Sequence, residues 1–452
     1  MKKTFSLLIL SVFSLGFSQK QWSLQECVDY AVKNNLQIIN NQYNTIIQSK
    51  NLSIAKKDYL PSVSASIGNS TSFGERQDNV GRALRTDAFN NSASVGANIQ
   101  VYNGGRIRKN IEKSQYDLEA SQYDLENIKN NISLQIAQQY LQILLNKEVA
   151  KIAESAVENA EKLYRRAKIT TEVGTTPMTV LAESQAGLSR EKQRLQAAKI
   201  DIERARFNLA MLLQLNDYKD FDVQYIALPQ LLDAPQSSSD TILETAYANQ
   251  PQIKAAEIRI KSAQKQTEIS KTGFLPTVTA SAGIGSFYYN SLVTNNIGID
   301  VATGNYIKEK GLFQQYKDNF GQQLGLSVNV PIFNKGVTKL QVEQTKINES
   351  IATNTLNQQK QELKQSIQKA YFDANANYQN YLAATETEKS TKLALDFAEK
   401  SYEAGRTTIY DLNIARNNYV NTQGSVYQAK YNYIFSMKLL NFYAGIPIGI
   451  ND

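Results

Sequence analysis

The feature that most constrains the fold of this chain is an internal repeat, because two copies of one pattern require two copies of one supersecondary unit. Each copy reads in the same order: helix, strand, loop, strand, long helix, tight turn, helix. The matching segments are Tyr59-Leu60-Pro61-Ser62 with Phe274-Leu275-Pro276-Thr277, Val101-Tyr102-Asn103-Gly104-Gly105 with Ile332-Phe333-Asn334-Lys335-Gly336, and, more loosely, Gly174-Thr175-Thr176-Pro177 with Gly405-Arg406-Thr407-Thr408. The sequence therefore predicts a fold built from two similar halves.

The repeat sets the expected segment boundaries. We assign residues 19–215 to the first repeat and residues 240–445 to the second. The linker between them is 216–239, where helical periodicity fails and several Pro and Ser residues interrupt the chain. A short tail, 446–452, follows the second repeat.

Residues 1–18 have the pattern of a signal peptide. Lys2 and Lys3 precede an apolar run that ends just before Ser18, so we expect cleavage before Gln19 and export of the mature chain. No later apolar run reaches about eighteen residues, so no membrane-spanning helix is expected. Cys27 lacks the preceding small residues of a lipoprotein site and is interpreted as a small buried side chain.

Period-two alternation marks two segments in each half as amphipathic strands. One face of each segment is apolar, and the other carries small, uncharged polar residues. The apolar residues are Val63, Ala65 and Ile67, then Val95, Ala97, Ile99 and Val101, then Val278, Ala280, Ala282 and Ile284, and finally Leu324, Leu326, Val328 and Val330. A soluble sandwich would alternate in the same way, but small polar residues suit the wet lumen of a membrane barrel better than the exterior of a soluble sheet.

Four strands cannot close into a barrel, and lipid tolerates no open strand edge. If these strands span a membrane, several chains must share one barrel. A pair of chains would supply about eight strands, whose interior is filled by side chains, whereas three chains would supply about twelve and enclose an open pore. In that case the sequence predicts a homotrimer in outer-membrane lipid, with long polar loops at about 70–92 and 286–321.

Two very long helices are expected, from Gly105 to about Lys168 and from Val337 to about Ala404. At about 1.5 Å per residue, each extends roughly 100 Å. The first carries a narrow apolar seam with one four-residue step: Ile111, Leu118, Leu125 and Ile132, then Ile136, Ile143, Ala150, Val157 and Tyr164. A spectrin-like bundle or rod would show the same seam, but the export signal and the strands favour helices that wall a water-filled tunnel.

The strand-to-helix junctions have a structural interpretation. Asn103 and Asn334 can cap the helices that follow them, and Gly104, Gly105 and Gly336 relieve the backbone strain of a direct turn. Helices must stop before Pro61 and Pro276, because the residue before proline disfavours the helical region.

The helix tips carry a functional hypothesis. Gly174 and Gly405 are placed to end one helix, and Pro177 suits the first turn of the next. The second tip has Tyr402, Arg406, Thr408 and Asp411 near it, and in a threefold ring such residues would meet at the axis and narrow a pore. Alternatively, Thr408 caps the helix and Asp411 completes a capping box. The two interpretations are compatible.

Composition argues against most enzyme classes. The chain has no His and one Cys, which removes His-based acid–base and nucleophilic devices and most nitrogen or sulfur metal sites. A carboxylate-based hydrolase would need a paired-acid cleft, and no localised candidate is found. The formal charge of +7 is interspersed with acidic residues, so no nucleic-acid partner is expected. An exported structural coiled-coil protein is the alternative from another class. No cofactor or metal is expected.

Taken together, these motifs resemble the TolC family of outer-membrane efflux proteins. The resemblance rests on Trp22-Ser23-Leu24-Gln25-Glu26-Cys27, the Leu-Pro strand starts, Tyr102-Asn103-Gly104-Gly105-Arg106, Pro331-Ile332-Phe333-Asn334-Lys335-Gly336 and Tyr402-Glu403-Ala404-Gly405-Arg406-Thr407-Thr408-Ile409-Tyr410-Asp411-Leu412. It covers essentially the whole mature chain in the right order.

The resemblance implies a mainly α fold with four membrane β-strands per protomer. A trimer then forms a twelve-stranded β-barrel continued by a long periplasmic α-helical barrel. It also implies an outer-membrane location in a Gram-negative bacterium, a periplasmic adaptor that contacts the helix tips, and an inner-membrane pump as partner. The duct itself would be passive, in an efflux or type I secretion system.

The family gates at its helix tips, and its motif can be carried over residue by residue. Tyr402 and Asp411 fall on the family's tyrosine and first acidic position. The family's arginine position falls on Thr407, with Arg406 adjacent, and its second acidic position falls on Ile414. Strong cation selectivity at this gate is therefore in doubt.

Overall fold

The fold is taken from a computed structural model that describes residues 21–77, 80–226, 232–235, 238–294 and 296–446. The expected signal peptide and residues 447–452 of the expected tail lie outside the described residues, as does part of the expected linker.

Helices dominate the chain. Their bounds are α1 Leu24–Asn34, α2 Leu36–Lys57, α3 Arg106–Glu172, α4 Met178–Leu213, α5 Ser239–Asn249, α6 Pro251–Lys271, α7 Leu312–Asp318, α8 Val337–Glu403 and α9 Ile409–Tyr443. The strands are β1 Gln21–Trp22, β2 Ser62–Ser72, β3 Glu75–Gln77, β4 Ala83–Arg85, β5 Ala88–Tyr102, β6 Asp222–Val223, β7 Thr277–Ser291, β8 Asn296–Ile299, β9 Tyr306–Lys308 and β10 Gly321–Asn329. The predicted mainly α fold with four long strands is confirmed, and α3 and α8 lie within a few residues of their expected bounds.

The described residues pack into two compact units. The helical unit contains the chain up to Ile46, Ala120–Glu257 and the chain from Asn354 onward. The sheet unit contains Ile47–Glu119 and Ile258–Thr353. Each unit therefore contains residues from both repeats.

The sheet unit is organised by an antiparallel sheet in the order β10-β7-β5-β2. Val95 of β5 lies opposite Ala65 of β2 and Ile284 of β7. On the same face, Ala282 of β7 lies opposite Leu324 of β10. The apolar faces of all four strands thus lie on the same side of the sheet, as their alternation predicts.

The loops between these strands are shorter than expected. β2 continues to Ser72 and β5 begins at Ala88, while β7 continues to Ser291. The sequence alternation ends before the strands do, because polar residues such as Asn69 and Asn91 lie on the face that carries apolar residues nearer to Pro61. The backbone hydrogen bonds between the strands nevertheless continue through this pair. The described part of these loops contains the strand pairs β3–β4 and β8–β9 and the short helix α7.

The main core of the helical unit surrounds Tyr140 and Leu144 of α3, with Leu209 and Leu213 of α4 packed in the same cluster. The Tyr140 hydroxyl donates to the carbonyl of Gln224 at 2.7 Å, beside the short parallel pair of β1 and β6. Most residues of this core have large apolar side chains, so the helices it joins are held by apolar burial.

Farther along α3, the buried residues become small. Ala153, Ala160 and Ala167 are buried at seven-residue intervals, whereas the expected seam residues Val157 and Tyr164 are only half-buried. The seam was expected on Ala150, Val157 and Tyr164, and of these only Ala150 is buried. Small residues at the contact allow neighbouring helices to approach closely, so alanine takes the buried positions here.

Candidate functional site

The two helix tips have the same backbone conformation, the Schellman motif, in which a glycine with positive φ ends the helix. Gly174 has φ of 76° and Gly405 has φ of 68°. At the first tip the amide of Thr175 donates to the carbonyl of Thr170 at 2.9 Å, and at the second that of Arg406 donates to Ser401 at 2.8 Å. The loose repeat read from the sequence therefore corresponds to two turns with the same hydrogen bonds.

Hydrogen bonds from threonine hydroxyls stabilise the first tip. Thr175 Oγ1 donates to the carbonyl of Thr170 at 2.8 Å, and Thr176 Oγ1 donates to Thr170 Oγ1 at 2.8 Å. Pro177 lies at the N-cap of α4, one position before the first helical turn expected for it. The adjoining Val173 and Met178 expose large apolar side chains. This tip is thus a fixed turn with an apolar exposed surface.

A capping box begins α9 at the second tip. Asp411 N donates to Thr408 Oγ1 at 3.2 Å, and the Asp411 carboxylate accepts from Thr408 N at 3.2 Å. The same carboxylate accepts from the hydroxyls of Thr408 at 2.7 Å and Thr407 at 3.1 Å. These hydrogen bonds, led by that from the Thr408 side chain, lower the pKa of Asp411. Asp411 is therefore ionised at neutral pH and fixed in place.

Tyr402 contacts the other hairpin. The Arg166 guanidinium of α3 lies 5.9 Å from the centroid of the Tyr402 ring of α8. Beside them is a small apolar cluster formed by Leu395, Ile409 and Leu412, with Leu163, Val180, Ala398, Tyr402, Ala415 and Tyr419 packed against it. The cluster joins α3 and α4 of the first repeat to α8 and α9 of the second, so the two tips are held together by packing and one cation–π contact.

An ion pair that sequence reasoning missed lies two turns farther into the second hairpin. Arg416 Nη2 of α9 donates to Glu399 Oε1 of α8 at 2.6 Å, with the arginine side chain only 15% exposed. Neither residue belongs to a recognised motif. Their spacing in the sequence gives no signal, because the contact is created by the hairpin that folds α9 against α8.

The expected gate residues are near one another in sequence but are held by different contacts. Tyr402 packs in the inter-hairpin cluster, whereas Asp411 is held within its own capping box. Among the described residues, no hydrogen bond or ion pair joins Tyr402 to Asp411. Arg406 is exposed in the turn, and Ile414 is 42% exposed.

The strand-to-helix junctions adopt left-handed backbone in both repeats. Gly104 and Gly105 have φ of 65° and 80°, and Lys335 and Gly336 have φ of 58° and 76°. A Cβ on Gly104 would lie 2.7 Å from Leu275 Cδ1, so only glycine fits there. Pro61 and Pro276 directly precede β2 and β7, as expected.

The two junction asparagines differ in their hydrogen bonds. Asn103 Oδ1 accepts from Ile107 N at 3.5 Å, a long cap, whereas Asn334 Nδ2 donates to the hydroxyl of Thr338. The first asparagine therefore caps weakly, and the second is positioned by a side-chain contact within the new helix.

The four-stranded sheet presents a broad apolar face. Leu324 and Leu326 of β10 are 87% and 70% exposed. Phe89 and Tyr288 lie at the upper end of the same face with ring centroids 6.3 Å apart. An apolar band bordered by aromatic rings is typical of a lipid-facing barrel surface. None of the helices in the described ranges combines the length and apolarity needed to cross a membrane.

Comparisons with known proteins agree with this architecture. The family model "Outer membrane efflux protein" matches residues 28–213 and 242–445. The efflux protein BepC of Brucella suis is 24% identical over 416 residues, covering 91% of this chain and 83% of BepC. The outer membrane protein TolC of Escherichia coli is 28% identical over 208 residues, 45% of this chain and 39% of TolC.

Solved structures show the same fold. The CmeC outer membrane channel of Campylobacter jejuni has a TM-score of 0.76 at 21% identity, covering 93% of this chain and 85% of CmeC. VceC of Vibrio cholerae has a TM-score of 0.74 at 16% identity, covering 94% and 97%. The resemblance read from the motifs is thus confirmed. The chain belongs to the outer membrane efflux protein family and is an outer-membrane protein.

Proposed function

We propose that three copies of this chain form a passive exit duct through the outer membrane, fed by an inner-membrane pump through a periplasmic adaptor in an efflux or type I secretion system. The observation that supports this most directly is the pair of outer strands of the sheet. Among the described residues, β2 and β10 each pair with one neighbour only. In lipid, an unpaired edge leaves backbone groups without hydrogen bonds at several kcal/mol each, roughly.

Pairing between copies removes both edges. β2 of one copy would pair with β10 of the next, and about twelve strands would close around an open pore. The apolar face would then contact lipid, and the small residues of the opposite face, such as Ser66, Gly96 and Gly283, would line the lumen. Transport down such a duct needs no cofactor, since the pump supplies the energy.

The second helix tip would act as a periplasmic gate in this duct. Its proposed members are Tyr402, Arg406, Thr407 and Asp411, and we add Arg166 to the proposal because its guanidinium contacts the Tyr402 ring. Opening would separate α8 and α9 from α3 and α4, and would break that contact. The fixed turns at Gly174, Thr175, Thr176, Pro177 and Gly405 would be the surface that an adaptor contacts.

Oligomeric state in outer membranes tests the duct. Outer-membrane fractions are solubilised in detergent, and native mass spectrometry is expected to give the mass of three mature chains. A water-soluble monomer in the periplasmic fraction would overturn the proposal.

Single-channel conductance in planar bilayers tests the gate separately. Tyr402→Ala and Asp411→Ala are expected to raise conductance above that of the parent protein. Tyr410→Ala is the matched control, because Tyr410 is 62% exposed at the same tip and lies outside the apolar cluster. Unchanged conductance in both gate variants would remove the gate assignment and leave the duct intact.

A further inference from the structure

The outer strand β10 is much shorter than its neighbour β7. Their ladder runs from Asn329 opposite Thr277 to Gly321 opposite Gly285. β7 nevertheless continues to Ser291, which still lies opposite Ala88 of β5 on its other side. Between Gly285 and Ser291, one edge of β7 therefore has no strand beside it among the described residues.

A segment before β10 takes the place of the missing strand. We call Glu309–Asn319, which includes α7, the edge clip. Gln315 Nε2 donates to the Tyr289 carbonyl at 2.8 Å, and Gln315 Oε1 accepts from Tyr289 N at 3.0 Å. One side-chain amide thus makes both hydrogen bonds that a neighbouring strand would make to this residue.

Two further side chains of the edge clip continue the pattern along β7. Asn319 Nδ2 donates to the Phe287 carbonyl at 2.9 Å, and Ser291 N donates to Glu309 Oε1 at 2.9 Å. Alternate residues of β7 point their backbone groups toward one edge, and these are the residues that the clip reaches. The upper edge of β7 is therefore closed by side chains.

The clip is also fastened to the sheet and to itself. Ser286 Oγ donates to the Tyr316 carbonyl at 2.7 Å, and the Tyr316 hydroxyl donates to Asn91 Oδ1 of β5. Lys310 and Asp318 form an ion pair at 2.5 Å across the segment. These contacts fix α7 against β7 and β5.

We propose that the edge clip sets the register of the strand seam between neighbouring copies, by limiting it to Gly321–Asn329 on one side. The inference rests on the proposed trimer. β2, the partner strand, has 11 residues and β10 has 9, so their lengths alone do not define one pairing. A one-residue slip would turn apolar side chains into the lumen, but a two-residue slip preserves the alternation. The clip limits that slip, because it occupies the edge of β7 and stops β10 from extending beyond Gly321, so residues of β2 that slid past Gly321 would have no strand to pair with.

Disulfide scanning across the seam tests the register. Ser66→Cys on the small-residue face of β2 is combined in turn with Gly321→Cys, Gln323→Cys, Gly325→Cys and Ser327→Cys on the same face of β10. Oxidation in outer membranes is expected to link copies mainly at one of these positions. The protein without introduced cysteines is the blank, since Cys27 is buried.

The clip is then removed in the same cysteine backgrounds. In Gln315→Ala/Asn319→Ala, we expect linkage at the parent position to fall about tenfold, since several hydrogen bonds to β7 are lost, and to appear two residues away. Gln314→Ala is the matched control, because Gln314 donates to Asp318 within α7 and should keep the parent position. Should the double variant not reach the membrane, Asn319→Ala alone is expected to show the same two-residue shift in a smaller fraction.

The outcomes separate the two proposals. An unchanged linkage pattern in the clip variants overturns the role of the clip while the trimer stands. Absence of any linkage between β2 and β10 in the parent overturns the trimeric seam itself.

Discussion

The guanidinium of Arg166 lies 5.9 Å from the ring centroid of Tyr402, and this contact joins α3 of the first repeat to α8 of the second. Leu163, one turn before Arg166, packs against the same apolar cluster. A cation over an aromatic face contributes about 0.5–1 kcal/mol at an exposed site. In the proposed gate, a contact of this size would bias the closed arrangement and could still be broken on opening.

We expect Arg166→Gln to favour the open arrangement of the proposed gate, because it removes the cation and keeps a polar side chain. Single-channel conductance in planar bilayers should rise, and the open fraction should increase by about two- to fivefold, in line with a loss of about 0.5–1 kcal/mol. Arg165→Gln is the control, because Arg165 pairs with Glu161 on its own helix at 3.7 Å. Equal effects of the two substitutions would show that the tyrosine contact has no special role.

The capping box at the second tip should be worth about 1 kcal/mol to the start of α9. Thr408→Ala removes the hydroxyl that accepts from Asp411 N at 3.2 Å, so the amides of the first turn should exchange with solvent several-fold faster. Thr408→Ser, which keeps the hydroxyl, should restore the slow exchange. Exchange that is fast in the parent protein would contradict the cap.

The same cap should depend on pH. Hydrogen bonds from Thr408 and Thr407 lower the pKa of Asp411 below its ordinary value of 3.8. A carboxylate with a lowered pKa stabilises the folded state above its unfolded pKa, and this contribution is lost as the pH falls through the folded value. Amide exchange at the tip should therefore be constant, after correction for intrinsic rates, from neutral pH to about pH 4 and accelerate only below that. In Asp411→Ala the acid-induced acceleration should disappear.

The sequence predicted α3 and α8 well because their seams repeat over many turns, and it predicted the four strands because each alternates. It did not predict the contacts of Arg166 with Tyr402 or of Arg416 with Glu399, since these depend on how separate helices fold together. It also missed Gln315, because no local pattern shows that a side-chain amide will complete a strand ladder. The capping box at Thr408 was predicted, since its residues lie within one turn.

The first strand-to-helix junction should be intolerant of alanine at Gly104. A Cβ there would lie 2.7 Å from Leu275 Cδ1 on a backbone with φ of 65°. We expect Gly104→Ala to lower the free energy of unfolding by roughly 2–4 kcal/mol, from left-handed strain and overpacking together. Gly105→Ala is the control, because its φ is 80° but nothing lies within 4 Å of the added Cβ, so only about 1–2 kcal/mol should be lost. Urea unfolding in detergent measures both, and equal losses would contradict the clash.

The two faces of β10 should differ in how well they tolerate a charged side chain. Leu326 lies opposite Ala280 near the middle of the apolar band, so Leu326→Arg should cost about 2–4 kcal/mol in the membrane. Ser327 is the next residue and points to the other face, so Ser327→Arg should be tolerated. The measurement is the yield of folded protein in outer membranes. A loss with Ser327→Arg that matches the loss with Leu326→Arg would mean that the apolar face is not the lipid-facing one.

Cys27 should report unfolding of the helical unit. It is fully buried in the main core, and burial, with a smaller effect from Glu26, raises the pKa of its thiol from 9.0 to about 12. Because only the thiolate reacts, iodoacetamide at about pH 8 should not modify the folded protein and should modify it once the core opens. The raised pKa also means that the contribution of this thiol to folded stability is complete below about pH 9 and is lost as the pH rises toward 12, since the unfolded thiol ionises first.

A second, exposed cysteine serves as the reference for the alkylation of Cys27. Thr179→Cys adds an exposed thiol near the first helix tip, where no burial raises its pKa, so it should be alkylated in the folded protein within the time that leaves Cys27 intact. Mass spectrometry of tryptic peptides distinguishes the two sites. In rising urea, modification of Cys27 should follow the loss of the helical signal, because the residue packs in the same cluster as Tyr140 and Leu144. Alkylation of Cys27 at the rate of the added cysteine without denaturant would show that this core opens freely in the folded protein.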